Sequence, residues 1–261
     1  MTTYRIGLAQ MLCEKGDLAG NLAQMARLVA AAQARHIDIL AFPEMNLTGY
    51  IDPATCPEAV LTLDSPAIGA ALALTAGSEM TVLVGFVEAN LPGKPFISQL
   101  VARNGLLQGV YRKQTVLDEE AEAFAPGSDI PGFQHGALDF GIAICADIDN
   151  RQVFEAHAKR GAQVVFEVAA PGLYGEQATR DWQASYSWWE GKCREQLGLL
   201  ARELGLWIPV ATQAGRTVDE DFPGGGYVFA PDGNRLIATA DWLPGALFVE
   251  LDLESGTAIQ V

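Results

Sequence analysis

The chain has 261 residues, 49% of them hydrophobic, with a mean hydropathy of +0.14, enough apolar side chains for a sizeable buried core and too many for intrinsic disorder as the main state. Seventeen Lys and Arg against 32 Asp and Glu leave a formal charge of −15. That balance repels polyanions, so it argues against nucleic acid or anionic membrane as a partner and favours a small or cationic one.

Taken in chain order, residues 4–10 read as a first strand. Asp17 is placed to cap a helix over residues 18–35, where Leu22, Met25, Leu28, Val29 and Ala32 recur at helical spacing. Residues 36–42 form a buried strand stopped by Pro43, which leaves Glu44 at a strand's C-terminal end, where α/β folds place their sites. Ser65 and Pro66 read as the N-cap and first position of a helix to residue 76. Strands follow at 81–87, 96–103 and 106–111, the last two joined by Asn104-Gly105, a strong hairpin signal, so this portion is expected to be antiparallel. Beyond it come a strand at 140–144, a helix at 151–160, a strand at 163–167 and a long helix at 178–204. Strands at 207–211, 227–230, 235–240 and 246–251 complete the chain around the turns at Pro231-Asp232-Gly233 and Pro244-Gly245. Strands alternating with helices are the mark of an α/β sandwich, and no linker or repeat divides the chain, so residues 1–261 are expected to form one domain.

The N-terminal string Met1-Thr2-Thr3-Tyr4-Arg5 lacks the apolar core of a secretory signal, and no window reaches the roughly 18 apolar residues of a membrane span; a cytoplasmic location is expected. Cys13, Cys56, Cys145 and Cys193 are scattered and form no C-x-x-C pair, and His36, His135 and His157 have no ligand spacing, so neither a disulfide framework nor a metal site is expected. Gly224-Gly225-Gly226 lacks the Lys-Ser/Thr of a phosphate loop and reads as a turn. Trp182, Trp188 and Trp189 read as core or subunit interface.

Three strings each put a reactive residue directly after an apolar strand: Phe42-Pro43-Glu44, Tyr111-Arg112-Lys113 and Ile144-Cys145-Ala146-Asp147. A thiol nucleophile, a carboxylate to take its proton and an ammonium to hold an oxyanion are together sufficient for acyl transfer. A free thiol is weakly ionised at neutral pH, so it needs such neighbours. Singly, each residue has an ordinary use: Cys145 as buried packing, Glu44 as a cap, Lys113 as a surface charge.

In order, spacing and strand context, these strings, with Gly49-Tyr50 after the first, resemble the nitrilase superfamily of carbon-nitrogen hydrolases, and the likeness runs from the first strand to the last. The resemblance implies a four-layer α-β-β-α sandwich. It also implies that Cys145 is the nucleophile, Glu44 the general base and Lys113 the cation that holds the tetrahedral intermediate. A further family glutamate precedes an aromatic-x-Pro-Gly string; Phe124-Ala125-Pro126-Gly127 supplies the string, and counting back selects Glu120 over Glu119 and Glu122 to position Lys113. The Ala146 N–H is expected to donate to the oxyanion and Tyr50 to meet substrate. The implied substrate is a small amide, with a nitrile or N-carbamoyl compound as the alternative, handled without a cofactor by a homodimer or larger homo-oligomer; a catalytically silent scaffold of the same fold is the competing reading.

Some positions depart from the family's pattern. Ala146 stands where an aromatic residue is common, Gln114-Thr115 where His-Leu is common, and Gly224-Gly225-Gly226 where Gly-x-Ser often precedes the late turn. Glu167, ending the Val164-Val165-Phe166 strand, replaces an uncharged residue. It is read either as a strand-end cap or arginine partner, or as a contact for an amino or guanidino group of the substrate.

Overall fold

The computed structural model describes residues 3–261, the side chain of Glu119 excepted; Met1 and Thr2 of the N-terminal string lie outside the described residues. The chain runs β1 (Thr3–Gln10), α1 (Leu18–Gln33), β2 (Ile39–Ala41), α2 (Pro66–Ala73), β3 (Thr81–Glu88), β4 (Phe96–Arg103), β5 (Leu106–Arg112), α3 (Asp118–Ala123), β6 (Phe133–His135) and β7 (Leu138–Ile144). It continues with α4 (Arg151–Lys159), β8 (Val164–Ala169), α5 (Trp182–Leu204), β9 (Ile208–Thr212), β10 (Ala214–Arg216), β11 (Asp221–Pro223), β12 (Gly226–Phe229), β13 (Arg235–Ala238), β14 (Gly245–Asp252) and β15 (Thr257–Gln260).

One sheet has the order β15-β14-β1-β2-β3-β4-β5 and the other β13-β12-β9-β8-β7-β6, with β10 and β11 as a separate hairpin. Period-two alternation sorts the first sheet's side chains. Ile6, Leu8, Ile39, Ala41, Leu83 and Val87 point into a core shared with the second sheet, whereas Leu40, Val82, Val84 and Phe86 join Met25, Val29 and Ile68 of α1 and α2 on the opposite face. The second sheet is apolar on both faces, as a sheet covered on both sides must be. Val153 and Phe154 of α4 and Leu197 and Ala201 of α5 pack in its core. The expected four-layer α-β-β-α sandwich is the architecture observed.

Local signals account for most elements. Asp17 caps α1, its Oδ1 accepting from Gly20 N–H at 2.9 Å. Asn104 and Gly105, both at positive φ, turn β4 into β5, and β3, β4 and β5 are antiparallel as expected. Ser65 occupies the N-cap position of α2 but its side chain makes no capping bond, so that terminus relies on Pro66. The stretch expected as a strand over 36–42 is regular only at Ile39–Ala41, because His36 sits at φ +53 and ends the connection from α1. The long helix begins at Trp182, capped by Asp181, after a separate 3-10 turn at Gln177–Thr179. Among the described residues no helix is long and apolar enough to cross a membrane.

Candidate active site

Glu44 leaves the end of β2 on a backbone tied to two neighbouring strands. Phe42 N–H donates to Leu83 O and Gln99 Nε2 donates to Phe42 O at 2.9 Å, while Asn46 Oδ1 accepts from Gly85 N–H at 2.7 Å. Gly85 is required by this crossing, since a Cβ there would lie 2.6 Å from Pro43 O. Met45 is left-handed at φ +49, which turns the chain sharply and holds Glu44 inward. The Glu44 side chain is fully buried and bridges the two sheets: Oε1 accepts from Lys113 Nζ at 2.9 Å and Oε2 from Ala170 N–H, just past β8, at 3.0 Å.

Lys113 follows β5, its N–H bonded to Ile97 O and its carbonyl accepting from Gly127 N–H. Its buried ammonium also donates to both oxygens of Glu120, at 2.7 and 2.8 Å. Glu120 lies on α3, a short acidic helix with no apolar period to announce it. Tyr50, expected from the resemblance to meet substrate, donates its hydroxyl to Glu120 Oε1 at 2.5 Å, and its ring lies 6.3 Å from that of Phe222. Tyr50 therefore holds the carboxylate that holds the lysine.

Cys145 opens a 3-10 turn, Cys145–Asp149, immediately after β7. It is left-handed at φ +47, unusual for a residue with a side chain and a means of aiming that side chain out of the strand line. Ala146 follows it, half-buried.

The electrostatics follow from burial and from one cation among several acids. Burial pushes the Glu44 carboxyl up to about 7, Lys113 opposing and Glu120 adding to the rise. Burial disfavours the Lys113 charge, yet Glu44, Cys145 and Glu120 outweigh it, so its pKa is raised and the ammonium persists. Burial and then Glu44 push the Cys145 thiol well up, with Lys113 pulling the other way. The resting site therefore pairs a neutral thiol with a carboxyl poised near neutrality. Such a pair needs no preformed thiolate, because the carboxylate can take the thiol proton as the sulfur attacks.

Glu167 is neither a strand-end cap nor an arginine partner. It lies within β8, in register with Ala143 of β7 and Val210 of β9. Val210 shares a face with Thr212, whose Oγ1 accepts from Trp189 Nε1 of α5, so Glu167 points toward α5. It is fully buried, and neither oxygen has a partner among the described residues, arginine or otherwise. Burial, with Asp147 and Glu44 adding, raises its pKa well above the usual carboxylate range and keeps it an uncharged acid. Because the folded value exceeds the unfolded one, its contribution to stability is complete below about pH 4.3 and is lost as pH rises toward the folded value. Glu167→Gln, neutral at every pH, is expected to show a Tm that gains on the parent's between pH 5 and pH 9. A constant Tm difference across that range would mean that Glu167 does not resist ionisation.

In the sequence Asp147 stands out only as part of the cysteine string, yet it accepts four hydrogen bonds. Three of its donors are backbone N–H groups, which leave no mark in a sequence.

The carbon-nitrogen hydrolase family model matches residues 5–260. A glutamine-dependent NAD(+) synthetase of Acinetobacter baylyi is 24% identical over 97% of this chain but only 45% of its own length. The chain thus spans under half of that relative. A probable nitrilase of Schizosaccharomyces pombe is 25% identical over 98% of this chain and 91% of its own. Among solved structures, an amidase of Nesterenkonia AN1 from the nitrilase superfamily superposes with a TM-score of 0.81 at 23% identity, covering 97% of this chain and 93% of that one. With the motifs, the two-sheet fold and a family match over nearly its full length, the chain belongs to the carbon-nitrogen hydrolase family.

Proposed function

We propose that this domain hydrolyses a small non-peptide amide through a thioester on Cys145. The observation that carries the reading is the buried Lys113 ammonium, gripped by Glu44 and Glu120 on a segment hydrogen-bonded to the turn that carries Cys145. Glu44 takes the thiol proton as sulfur bonds to the amide carbon, and the oxyanion that forms is held by Lys113 and the Ala146 N–H. Collapse breaks the carbon-nitrogen bond, and the proton on Glu44 goes to the departing ammonia or amine. Glu44 then deprotonates a water that attacks the thioester, releasing the acid and restoring the thiol. Nitrile or N-carbamoyl hydrolysis would use the same groups. The relationship to glutamine-dependent synthetases makes the glutamine side-chain amide a specific candidate.

Intact-mass spectrometry with parallel ammonia assay, over a panel of aliphatic amides, glutamine, esters and nitriles, tests this reading. The parent is expected to gain the acyl mass and release ammonia, and Cys145→Ala to do neither. Ammonia release that survives in Cys145→Ala would overturn it. The protein is further proposed to act as a homodimer or larger homo-oligomer, for which sedimentation should give at least twice 27.9 kDa; monomer alone at working concentration would refute that.

A further inference from the structure

Asp147, two residues beyond the nucleophile, is fully buried. Its Oδ2 accepts from Ile144 N–H at 3.0 Å, closing the turn that carries Cys145, and from the Tyr111 hydroxyl at 2.6 Å. Its Oδ1 accepts from Gln114 N–H at 3.2 Å and Thr115 N–H at 2.8 Å. Three of these four donors flank Lys113 in sequence. At the far end of the same turn, Asn150 Nδ2 donates to Thr115 Oγ1 at 3.0 Å. The nucleophile's turn is therefore stitched at both ends to the segment whose middle is Lys113. The two pieces belong to different sheets, so no strand ladder sets their separation.

We propose that Asp147 is a positioning residue that ties the turn aiming the Cys145 sulfur to the strand end carrying Lys113, and so fixes the distance between thiol and ammonium. Cys145 holds a left-handed conformation, which persists only where the surroundings over-determine it, and Asp147 supplies that restraint from within the turn. Burial raises the Asp147 pKa, and the hydrogen bonds from Tyr111, Ile144 and Thr115, which favour the charged form, oppose that rise; an ionised acceptor suits the task, because its hydrogen bonds are about twice as strong as neutral ones. Gln114 and Thr115, which depart from the family's usual residues, form the far side of the clamp. The Thr115 hydroxyl makes a tie to Asn150 that an aliphatic side chain at that position does not make. The inference rests on Cys145 and Lys113 acting together, as proposed above, so its test includes a readout that needs no substrate.

Tyr111→Phe and Thr115→Val each remove one tie without changing charge; Asp147→Asn removes the charge and turns one acceptor into a donor. In a Cys56→Ser background, which removes a partly exposed thiol, the iodoacetamide alkylation rate of Cys145 would be followed against pH. Tm, and kcat and KM for any amide turned over, would be measured alongside. Displacing a reacting group by about 1 Å costs about 10²-fold in rate, so Asp147→Asn should lose about that much in kcat. The two charge-preserving variants should lose about 3- to 30-fold, with KM held within about twofold. The alkylation midpoint should move to higher pH in all three as the ammonium recedes from the thiol. If Tyr111→Phe and Thr115→Val lower Tm but leave the alkylation profile and kcat per folded molecule at the parent's values, Asp147 only supports the fold and the proposal is wrong. Should the chain turn over no amide at all, the alkylation shift still decides the question, which separates failure of the clamp from failure of the amidase reading.

Discussion

Replacing Glu44 by glutamine is expected to lower kcat by about 10²–10⁴-fold, the range for losing a positioned general base. The amide keeps the size of the carboxylate and one acceptor oxygen. However, the two native donors, Lys113 Nζ and Ala170 N–H, approach different oxygens, so one of them must face the new NH2 group. The sharper signature is in the pH profile. Burial holds the Glu44 carboxyl at about 7, and the proposed reaction uses its deprotonated form, so kcat/KM of the parent should rise as pH increases through about 7. Glu44→Gln should lose that limb, and the residual rate should be flat or follow the thiol alone. A rise near pH 7 that survives in the variant would place the base elsewhere.

Lys113→Met is expected to have the largest effect on stability. Removing one partner from a buried ion pair leaves an uncompensated charge and costs about 3–5 kcal/mol, and here two carboxylates lose the same ammonium. The sign of the pH dependence follows. Lys113 holds the Glu44 pKa down, so without it that carboxyl rises further and takes a proton at neutral pH. The stability deficit should then be smaller at pH 5, where protonation relieves the repulsion, and larger at pH 8, as urea midpoints at the two pH values would show. Activity should fall to background at both, since cation and base are lost together. An equal deficit at both pH values would mean that Glu44 and Glu120 do not share the ammonium as described.

Much of the scaffold could be read in advance because its signals are local. The short apolar runs of β3 and β4, the Asn104-Gly105 turn and the Asp17 cap each act over a few residues and need no knowledge of the partner sheet. Glu44, Lys113 and Cys145 were visible as polar residues ending apolar strands. What was not visible depends on direction and distance. Tyr50 was expected to meet substrate, and only the fold shows its hydroxyl turned to Glu120. Glu167 ends an apolar run just as Glu44 does, but β8 continues for two more residues to Ala169, so its side chain lies on a face of the sheet, toward α5, and not at a strand end. The short elements α3, β6, β10, β11 and β15 are too brief for periodicity to speak, and α3 carries charges where a period would need apolar residues.

The division of the site between two sheets also constrains the order in which the molecule can become active during synthesis. Glu44, Lys113 and Glu120 leave the ribosome well before Cys145, and the strand that pairs with the free edge of β1 is β14, near the other end of the chain. Until Gly245–Asp252 has emerged, β1 presents an unpaired edge of largely buried residues, open to pairing with another chain. The nascent protein thus carries its charged half-site and an adhesive edge at the same time. Yield of active protein should therefore depend on how quickly the last strands are made available.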